Sequence, residues 1–384
     1  MGYLNGRHIA ILGGGIAGLT AARALAQRGA RVEVFEQASA LREVGAGLQI
    51  TPNGARALEA LGLKAALEAG SVRAMAVEPM DAVSGRQIAR FDLRGFDQPP
   101  YRFFHRATLL DILAQGARKA GVEIHLGQPV TPDGSDGMVL TPQGARRFDL
   151  VVGADGLHSK ARPVLNGAAD PFFTGQVAWR AIIDRPRAAP VARIWMAPGR
   201  HLVTYPLPGE RMNIVAVQER RAWAAEGWHH ADQPANLRAA FAGLSGRLTG
   251  LLAQIEEVAL WGLFRHEVAQ NWGRGALALI GDAAHPTLPF LAQGANMAIE
   301  DAWLLAALCD AAPQADALAR YQKLRRPRVV RAIETANRNA ARYHLNGAAR
   351  QAAHGALSLM SRALPGAFLG RMEWLYGYDV TAQA

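Results

Sequence analysis

The sequence predicts an α/β protein, in which a doubly wound and mainly parallel sheet is interrupted by an antiparallel sheet and followed by C-terminal helices. Three observations predict it. A short apolar run at 8–12 leads through a cluster of glycines into a helix-periodic stretch. Buried-type strands near 150 and 276 each end in an acidic turn. Between them, long stretches alternate apolar and polar residues, as antiparallel strands do. With 384 residues, half of them hydrophobic and 19% charged, the chain is long and apolar enough for a large core, which excludes a hormone-sized, fibrous or disordered chain.

Each element follows from local pattern. His-Ile-Ala-Ile-Leu at 8–12 is a strand, and Leu19, Ala22, Leu25 and Ala26 give a helix that stops at Gly29. Val32 and Val34 alternate with charged residues in a second strand ending at Glu36, so the first 36 residues make one βαβ unit. Stretches 72–77 and 87–91, punctuated by Gly and Pro, read as antiparallel strands. Leu109, Leu110, Ile112 and Leu113 mark a helix ending near Gly121, followed by a strand at 122–126. Alternation returns at 176–183, 193–196, 201–205 and 212–218. A strand at 276–280 precedes a Pro/Gly loop and a helix over 295–309. Residues 315–384 read as helical, with Pro327, Gly347 and Pro365 as breaks.

Charge and cysteine content narrow the function classes. The formal net charge is +10, but only four of the 42 cationic residues are lysines. The arginines are scattered, and the densest group (Arg325, Arg326, Arg328, Arg331) lies late in the chain. No nucleic-acid partner is expected, whereas a phosphate-bearing ligand is. The single cysteine, Cys309, excludes intrachain disulfides and Cys-rich metal sites, so no metal is expected and a reducing cytoplasm fits. Gly13, Gly14, Gly15 and Gly18 interrupt the N-terminal apolar run, which argues against a secretory signal. No window reaches the ~18 uncharged apolar residues of a membrane span, so no integral membrane segment is expected.

Gly13-Gly14-Gly15-Ile16-Ala17-Gly18 satisfies G-x-G-x-x-G between a strand and a helix. Gly13 permits the sharp turn, Gly15 lets a pyrophosphate approach the backbone, and Gly18 lets helix and strand pack closely. Glu36 lies 18 residues beyond Gly18 at a strand end, where a carboxylate accepts from ribose hydroxyls. This marks a Rossmann-like dinucleotide site, open to NAD or FAD. Two further strands end in Asp155-Gly156 and Gly281-Asp282. In a doubly wound sheet that edge is the ligand crevice, so Asp155 and Asp282 are expected to converge on one cofactor.

In order and spacing these three motifs resemble those of the FAD-dependent aromatic hydroxylases, the single-component (group A) flavoprotein monooxygenases, over roughly residues 7–310. The resemblance implies tight, non-covalent FAD, with NADH or NADPH as a transient reductant. O2 then forms a flavin hydroperoxide that hydroxylates a phenolic or N-heteroaromatic acid. It also implies a discontinuous FAD-binding domain (1–71, 101–169 and 266–330), a substrate-binding sheet domain (72–100 and 170–265) and a C-terminal helical segment (331–384), in a monomer or homodimer. Asp282 matches the carboxylate that holds the ribityl hydroxyls, and Asp155 the one serving FAD and the nicotinamide. Arg106 matches the arginine near the pyrophosphate and ribityl chain, and Val130 a backbone contact to the adenine end. Arg42 and the loop with Gly47 match the stretch beside the flavin ring. The run Pro289 to Asn296, with Gly294, Ala295 and Asn296 at a helix start, matches the stretch at the pyrimidine edge of the ring.

For the proton chemistry that activates a phenol, His201 and Tyr205 are the best candidates. Four residues along a strand place both on one face, about 13 Å apart along the backbone. The spacing resembles that of hydroxylases of 3-hydroxybenzoate and 6-hydroxynicotinate. Relatives that carry a histidine in the proline loop or beside the ring meet Phe290 and Gln49 here. Arg180 and Arg193 are candidate partners for a substrate carboxylate. The terminal Trp374-Leu-Tyr-Gly-Tyr-Asp379 resembles the tail of salicylate and hydroxynicotinate hydroxylases, covering the site or joining a dimer. Alternatives within the same reading are a flavin-dependent epoxidase, a flavin-free NAD-linked dehydrogenase and a dinucleotide-sensing protein; no Trp-x-Trp-x-Ile-Pro halogenase signature is present.

Overall fold

The computed structural model describes residues 2–41, 46–96, 98–220, 230–364 and 366–383. The strand His8–Leu12 lies in the middle of a six-stranded sheet. On one side it is flanked by Arg31–Glu36 and then Glu123–Leu126, on the other by Leu150–Gly153, Leu277–Leu279 and the edge strand Gly273–Arg274. Every pair is parallel except the last. The central strands are continuous apolar runs because helices cover both faces.

The helix Ile16–Ala26 buries Leu19, Ala22 and Leu25. It packs against Gly294–Ala311, a helix buried around most of its circumference. Such a helix can carry Glu300 and Asp301 at zero exposure only if their charges are met. Arg325, itself fully buried, does so: its Nε donates to Asp301 (2.7 Å) and its Nη1 to Glu300, while Arg328 Nη2 donates to Glu300 at 2.8 Å. In spite of burial both carboxyls are held below their ordinary values, Glu300 by Arg325 and Arg328 and Asp301 by His285 and Arg325.

The interrupting strands form one eight-stranded sheet, in the spatial order His230–Asp232, Val258–Arg265, Phe172–Asp184, Arg211–Glu219, Arg200–Leu207, Val191–Ala197, Ala76–Asp81, Phe91–Asp92. It is not wholly antiparallel as expected, because Ala76–Asp81 pairs parallel with Val191–Ala197. One face, with Trp179, Leu202 and Ile214, packs on Leu237, Phe241, Leu248 and Leu252. The other face looks toward the parallel sheet.

Pro327 does not break the C-terminal segment. The helix Gln314–Tyr343 runs through it, anchored on either side by Arg325 and Arg328. Tertiary ion pairs outweigh the one hydrogen bond that a proline removes. Gly347, at φ 51°, instead starts the next helix, and Pro365 lies outside the described residues. Among the described residues no helix is long and apolar enough to cross a membrane.

Candidate active site

Three adjacent strands end on one edge. Ala154 N–H donates to Leu12 O and Ile280 N–H to Gly153 O, which brings the glycine turn, Asp155 and Asp282 side by side. Gly13 has φ 105°, a left-handed conformation, and a Cβ there would press on the Ala154 carbonyl. A Cβ at Gly18 would collide with the Gly13 carbonyl oxygen, whereas at Gly15 it would meet nothing within 4 Å. The backbone at Gly15 is therefore open to a ligand. The helix that starts at Ile16 has no side-chain cap, so its first-turn N–H groups suit a diphosphate.

Glu36 does more than the sequence suggests. Its carboxylate accepts the Gly14 N–H at 2.7 Å and the Ala38 N–H at 2.8 Å, closing the glycine turn. Spare lone pairs on both oxygens leave capacity for a ribose hydroxyl. Val130 is half-buried beyond Gln128, whose N–H donates to Glu36 O at 2.9 Å, so it borders the same strand end.

Asp282 is exposed to the cleft yet enclosed by protein, and this enclosure pushes its carboxyl above the ordinary range against the pull of His285 and Arg106. Asp301 fixes the turn that carries it, accepting from Gly281 N–H at 3.1 Å and bonding His285. Arg106 begins the helix Arg106–Lys119 and faces Asp282, with its pKa lowered by burial. Asp155 lies beside the glycine turn, with its side chain engaged locally. Its carboxylate turns into its own loop, accepting from Ser159 Oγ (2.6 Å), Lys160 N–H (2.6 Å) and Ala161 N–H (3.2 Å). A short Asp-Gly turn followed by unpaired N–H groups captures its own carboxylate, so the side chain shapes the turn beside Gly13.

The floor of the cleft is the inward face of the eight-stranded sheet. Cross-strand register places Ala178, Val217, His201 and Met196 in one row, Arg180, Val215, Val203 and Ile194 in the next, and Ile182, Asn213, Tyr205 and Ala192 in a third. His201 and Tyr205 thus share a face, two rows apart. His201 is 1% exposed; its ring meets Phe290 of the proline loop at 5.3 Å and Tyr343 at 5.2 Å between centroids. Its Nδ1 lies 2.7 Å from His344 Nε2. Burial, reinforced by His344, holds His201 well below the ordinary histidine value, so it is neutral.

Tyr205 stacks on Phe103 at 5.1 Å, and its hydroxyl lies beside Gln49 and Asn213. Burial raises its pKa, against Arg180 and those two side chains. Asn213 Oδ1 accepts the Gly47 N–H at 2.7 Å. A Cβ on Gly47 would come within 2.7 Å of both Asn213 and Tyr205, so only glycine lets the strand Gly47–Ile50 lie this close to the floor. Arg180 sits over Trp261 at 4.3 Å, and its pKa is lowered to about 10 by burial and then by Arg106, with Tyr205 opposing. The two guanidiniums add their positive potential here, which favours an anion. Arg193 is on the opposite face, where its Nε donates to Glu78 at 2.9 Å, which removes it from the substrate candidates.

The model of the FAD binding domain family matches residues 7–336. The 3-amino-4-hydroxybenzoate 2-monooxygenase of Streptomyces platensis is 35% identical over 397 residues, 98% of this chain and 97% of its own. The chain belongs to the FAD-dependent aromatic hydroxylases. The 3-hydroxybenzoate 6-hydroxylase 1 of Aquipseudomonas alcaligenes is 33% identical, covering 97% and 98%. Among solved structures, Klebsiella pneumoniae HpxO complexed with FAD and uric acid superposes with TM-score 0.82 at 25% identity, over 96% of both chains. A salicylate hydroxylase substrate complex shares the fold (TM-score 0.82, 24% identity, 99% and 97%).

For an FAD-dependent hydroxylase the open backbone at Gly15, the cleft-facing Asp282 and the neighbouring Arg106 fit the flavin nucleotide. Asn296 contributes differently than expected. It is fully buried; its Oδ1 accepts from Thr51 N–H (2.9 Å) and its Nδ2 donates to Gln49 O (3.0 Å) and Ala292 O (2.6 Å). Every side-chain polar atom is committed, so a ligand here would meet only its backbone, beside Gly294 and Ala295 in the first turn of an uncapped helix. Ala292, at φ 54°, takes a conformation rare for alanine at this turn. Arg42 lies outside the described residues.

Sequence reasoning missed Tyr101, which donates to Gln49 Oε1 and packs on Tyr376, and it missed His344 and Glu219 behind His201. The tail lies against the site: Tyr376 packs on Tyr101 (5.8 Å), and Arg328 covers Tyr378 (3.8 Å). No local pattern marks these residues, because their partners are distant in sequence.

Proposed function

We propose that this hydroxylase acts on a phenolic or N-heteroaromatic acid, with NADH or NADPH as transient reductant and O2 as oxygen source. Bound FAD supplies the redox chemistry: two electrons from the nicotinamide reduce O2, one oxygen atom going to the ring and the other to water. The observation that carries this reading is the neutral, buried His201 on the sheet floor opposite Phe290. Its Nδ1 is tied to His344, which leaves Nε2 to take the phenol proton and make the ring electron-rich.

Tyr205, beside Gln49 and Asn213, orients the other end of the ring. Arg180 supplies the cation that a carboxylate-bearing ring pairs with, and the relatives named for hydroxybenzoates support an acid. Gly13, Gly15 and Gly18 seat the pyrophosphate, Glu36 and Val130 the adenosine end, Arg106 and Asp282 the ribityl diphosphate, and Gly47 and residues 294–296 the ring. Asp155 shapes the turn for the transient nicotinamide. The domain division given by the sequence follows these roles, in a cytoplasmic monomer or homodimer.

The test is NAD(P)H oxidation by holoenzyme against 3-amino-4-hydroxybenzoate, 3-hydroxybenzoate and 6-hydroxynicotinate, with labelled O2 and peroxide release followed together. His201→Ala is expected to keep its FAD and lower hydroxylation by about 10²–10⁴, with peroxide rising as a share of turnover. Full product yield from that variant refutes the role of His201, and product without label refutes monooxygenation.

A further inference from the structure

Behind His201 a chain of hydrogen bonds runs to the protein surface. His201 Nδ1 and His344 Nε2 are 2.7 Å apart, and His344 Nδ1 and Glu219 Oε1 are 2.6 Å apart. Exposure rises along the chain, from 1% at His201 and 3% for the His344 side chain to 54% for that of Glu219. The three residues come from separate elements. His344 caps the helix Gln314–Tyr343, Glu219 ends the strand Arg211–Glu219, and His201 is on the neighbouring strand Arg200–Leu207. Gly199 locks the junction, its N–H donating to His344 O (3.1 Å) and its carbonyl accepting Glu219 N–H (3.0 Å). Val217 pairs with His201, so Glu219, two residues on, projects from the same sheet face at its end.

We propose that His344 and Glu219 are a proton relay and positioning pair that connects the buried His201 to solvent. The proposal rests on the reading of His201 as the base. An exposed carboxylate accepting from His344 Nδ1–H fixes His344 Nε2 as an acceptor. That acceptor in turn places the His201 proton on Nδ1 and leaves its Nε2 lone pair for the substrate. When the phenol O–H breaks, its proton goes to His201 Nε2, the Nδ1 proton of His201 to His344 Nε2, and the Nδ1 proton of His344 to Glu219 Oε1, which releases it to water. The substrate is left as phenolate, one proton reaches solvent, and no charge rests on a buried imidazole. The reverse flow returns a proton to the product oxygen and resets both tautomers.

The surroundings suit a relay more than a static contact. Burial disfavours a charged His201, and the titratable and charged groups nearby are Tyr343 (raised to about 12), Arg342 and Glu219. Of these, Glu219 is the anion. Passing the charge outward relieves the cost of ionising a buried base.

The test compares His201→Asn, His344→Gln, His344→Ala and Glu219→Gln as holoenzymes, with FAD content read from flavin absorbance. Proton release on mixing with 3-hydroxybenzoate or 3-amino-4-hydroxybenzoate is followed with phenol red in weak buffer. Imidazole ¹⁵N shifts are read without ligand. His344→Gln is expected to slow proton release about tenfold or more and Glu219→Gln about threefold, with FAD content unchanged. Added imidazole restores His344→Ala. Glu219→Gln moves the acid limb of the hydroxylation profile to lower pH, because the anion that favours protonated imidazole is gone, and it alters the ¹⁵N shifts of both histidines. If His201→Asn abolishes proton release while the His344 and Glu219 variants release at the normal rate with unchanged ¹⁵N shifts, the relay is overturned and the base stands. If none of the variants changes release, both are overturned.

Discussion

At the carboxyl edge of the parallel sheet, Gly13, Asp155 and Asp282 follow directly from the strands that deliver them, and the backbone at Gly15 and the uncapped helix start are open to a ligand. Across the cleft, His201 and Tyr205 stand on a sheet floor whose partners arrive from elsewhere: His344 from 143 residues away, Gln49 and Asn213 from other strands, and Tyr101 from just before the strand Arg102–His105. The nucleotide edge is thus a property of short segments, while the floor is a property of the assembled fold. The first can be seated by turns alone, but the second depends on the C-terminal helices, which place His344 and Tyr376.

Breaking the support shared by both regions has the largest expected effect. Arg325 ties Glu300 and Asp301 to the long C-terminal helix, and through Asp301 it reaches His285 and the turn that carries Asp282. Arg325→Met leaves two buried carboxylates with less compensation and should cost about 3–5 kcal/mol of stability in urea unfolding. A cost under about 1 kcal/mol would show that the two regions are not held by this cluster.

Separating the regions comes next. Asp282→Asn removes an anionic acceptor at the nucleotide edge without touching the floor. It should weaken FAD binding by about 1–3 kcal/mol, read by fluorescence titration of the apoprotein, with hydroxylation restored at saturating FAD. Hydroxylation still lost at full occupancy would place Asp282 in the chemistry of the floor.

The same division governs what the sequence made legible. The fingerprint glycines, Glu36 and the strand-end aspartates were readable because a tight turn before a helix restricts residue type locally. The shared face of His201 and Tyr205 followed from period two. That Asp155 caps its own turn, that Asn296 is consumed by the backbone of Gln49, Thr51 and Ala292, and that Arg193 is taken by Glu78 were not readable. Each depends on which neighbour reaches a polar atom first. Pro327 misled for a similar reason, since local propensity carries no trace of the ion pairs that hold its helix.

A third effect sharpens the comparison through pH. His201 and His344 are both held below the ordinary histidine value by burial, with Glu219 opposing at His344. Below the unfolded value of about 6.5 the unfolded chain binds protons that the folded chain refuses. Their contribution to stability is therefore complete above that pH and lost as pH falls toward the folded values, at about 1.4 kcal/mol per pH unit for each histidine. Urea midpoints between pH 7 and 5 should fall less steeply in His201→Asn than in the parent. Equal slopes would show that the floor contributes nothing to acid sensitivity.

The smallest expected effect tests whether the floor is tuned or merely packed. Tyr205→Phe keeps the ring stacked on Phe103 and its contact with Gly47, and removes only the hydroxyl beside Gln49 and Asn213. Gln49 Oε1 keeps Tyr101 and Asn213 Oδ1 keeps the Gly47 N–H, while Asn213 Nδ2 has no hydrogen-bond partner in the parent either. The net stability loss should stay under about 1.5 kcal/mol, the upper end of what one neutral hydrogen bond exchanged with water contributes. Because the hydroxyl borders Gln49 on the strand Gly47–Ile50, KM for the aromatic acid should rise by about fivefold, with FAD content unchanged and a smaller change in kcat. A fall in kcat that matches His201→Ala would instead mean that Tyr205 shares the proton step, and the base on this floor would be the pair rather than the histidine.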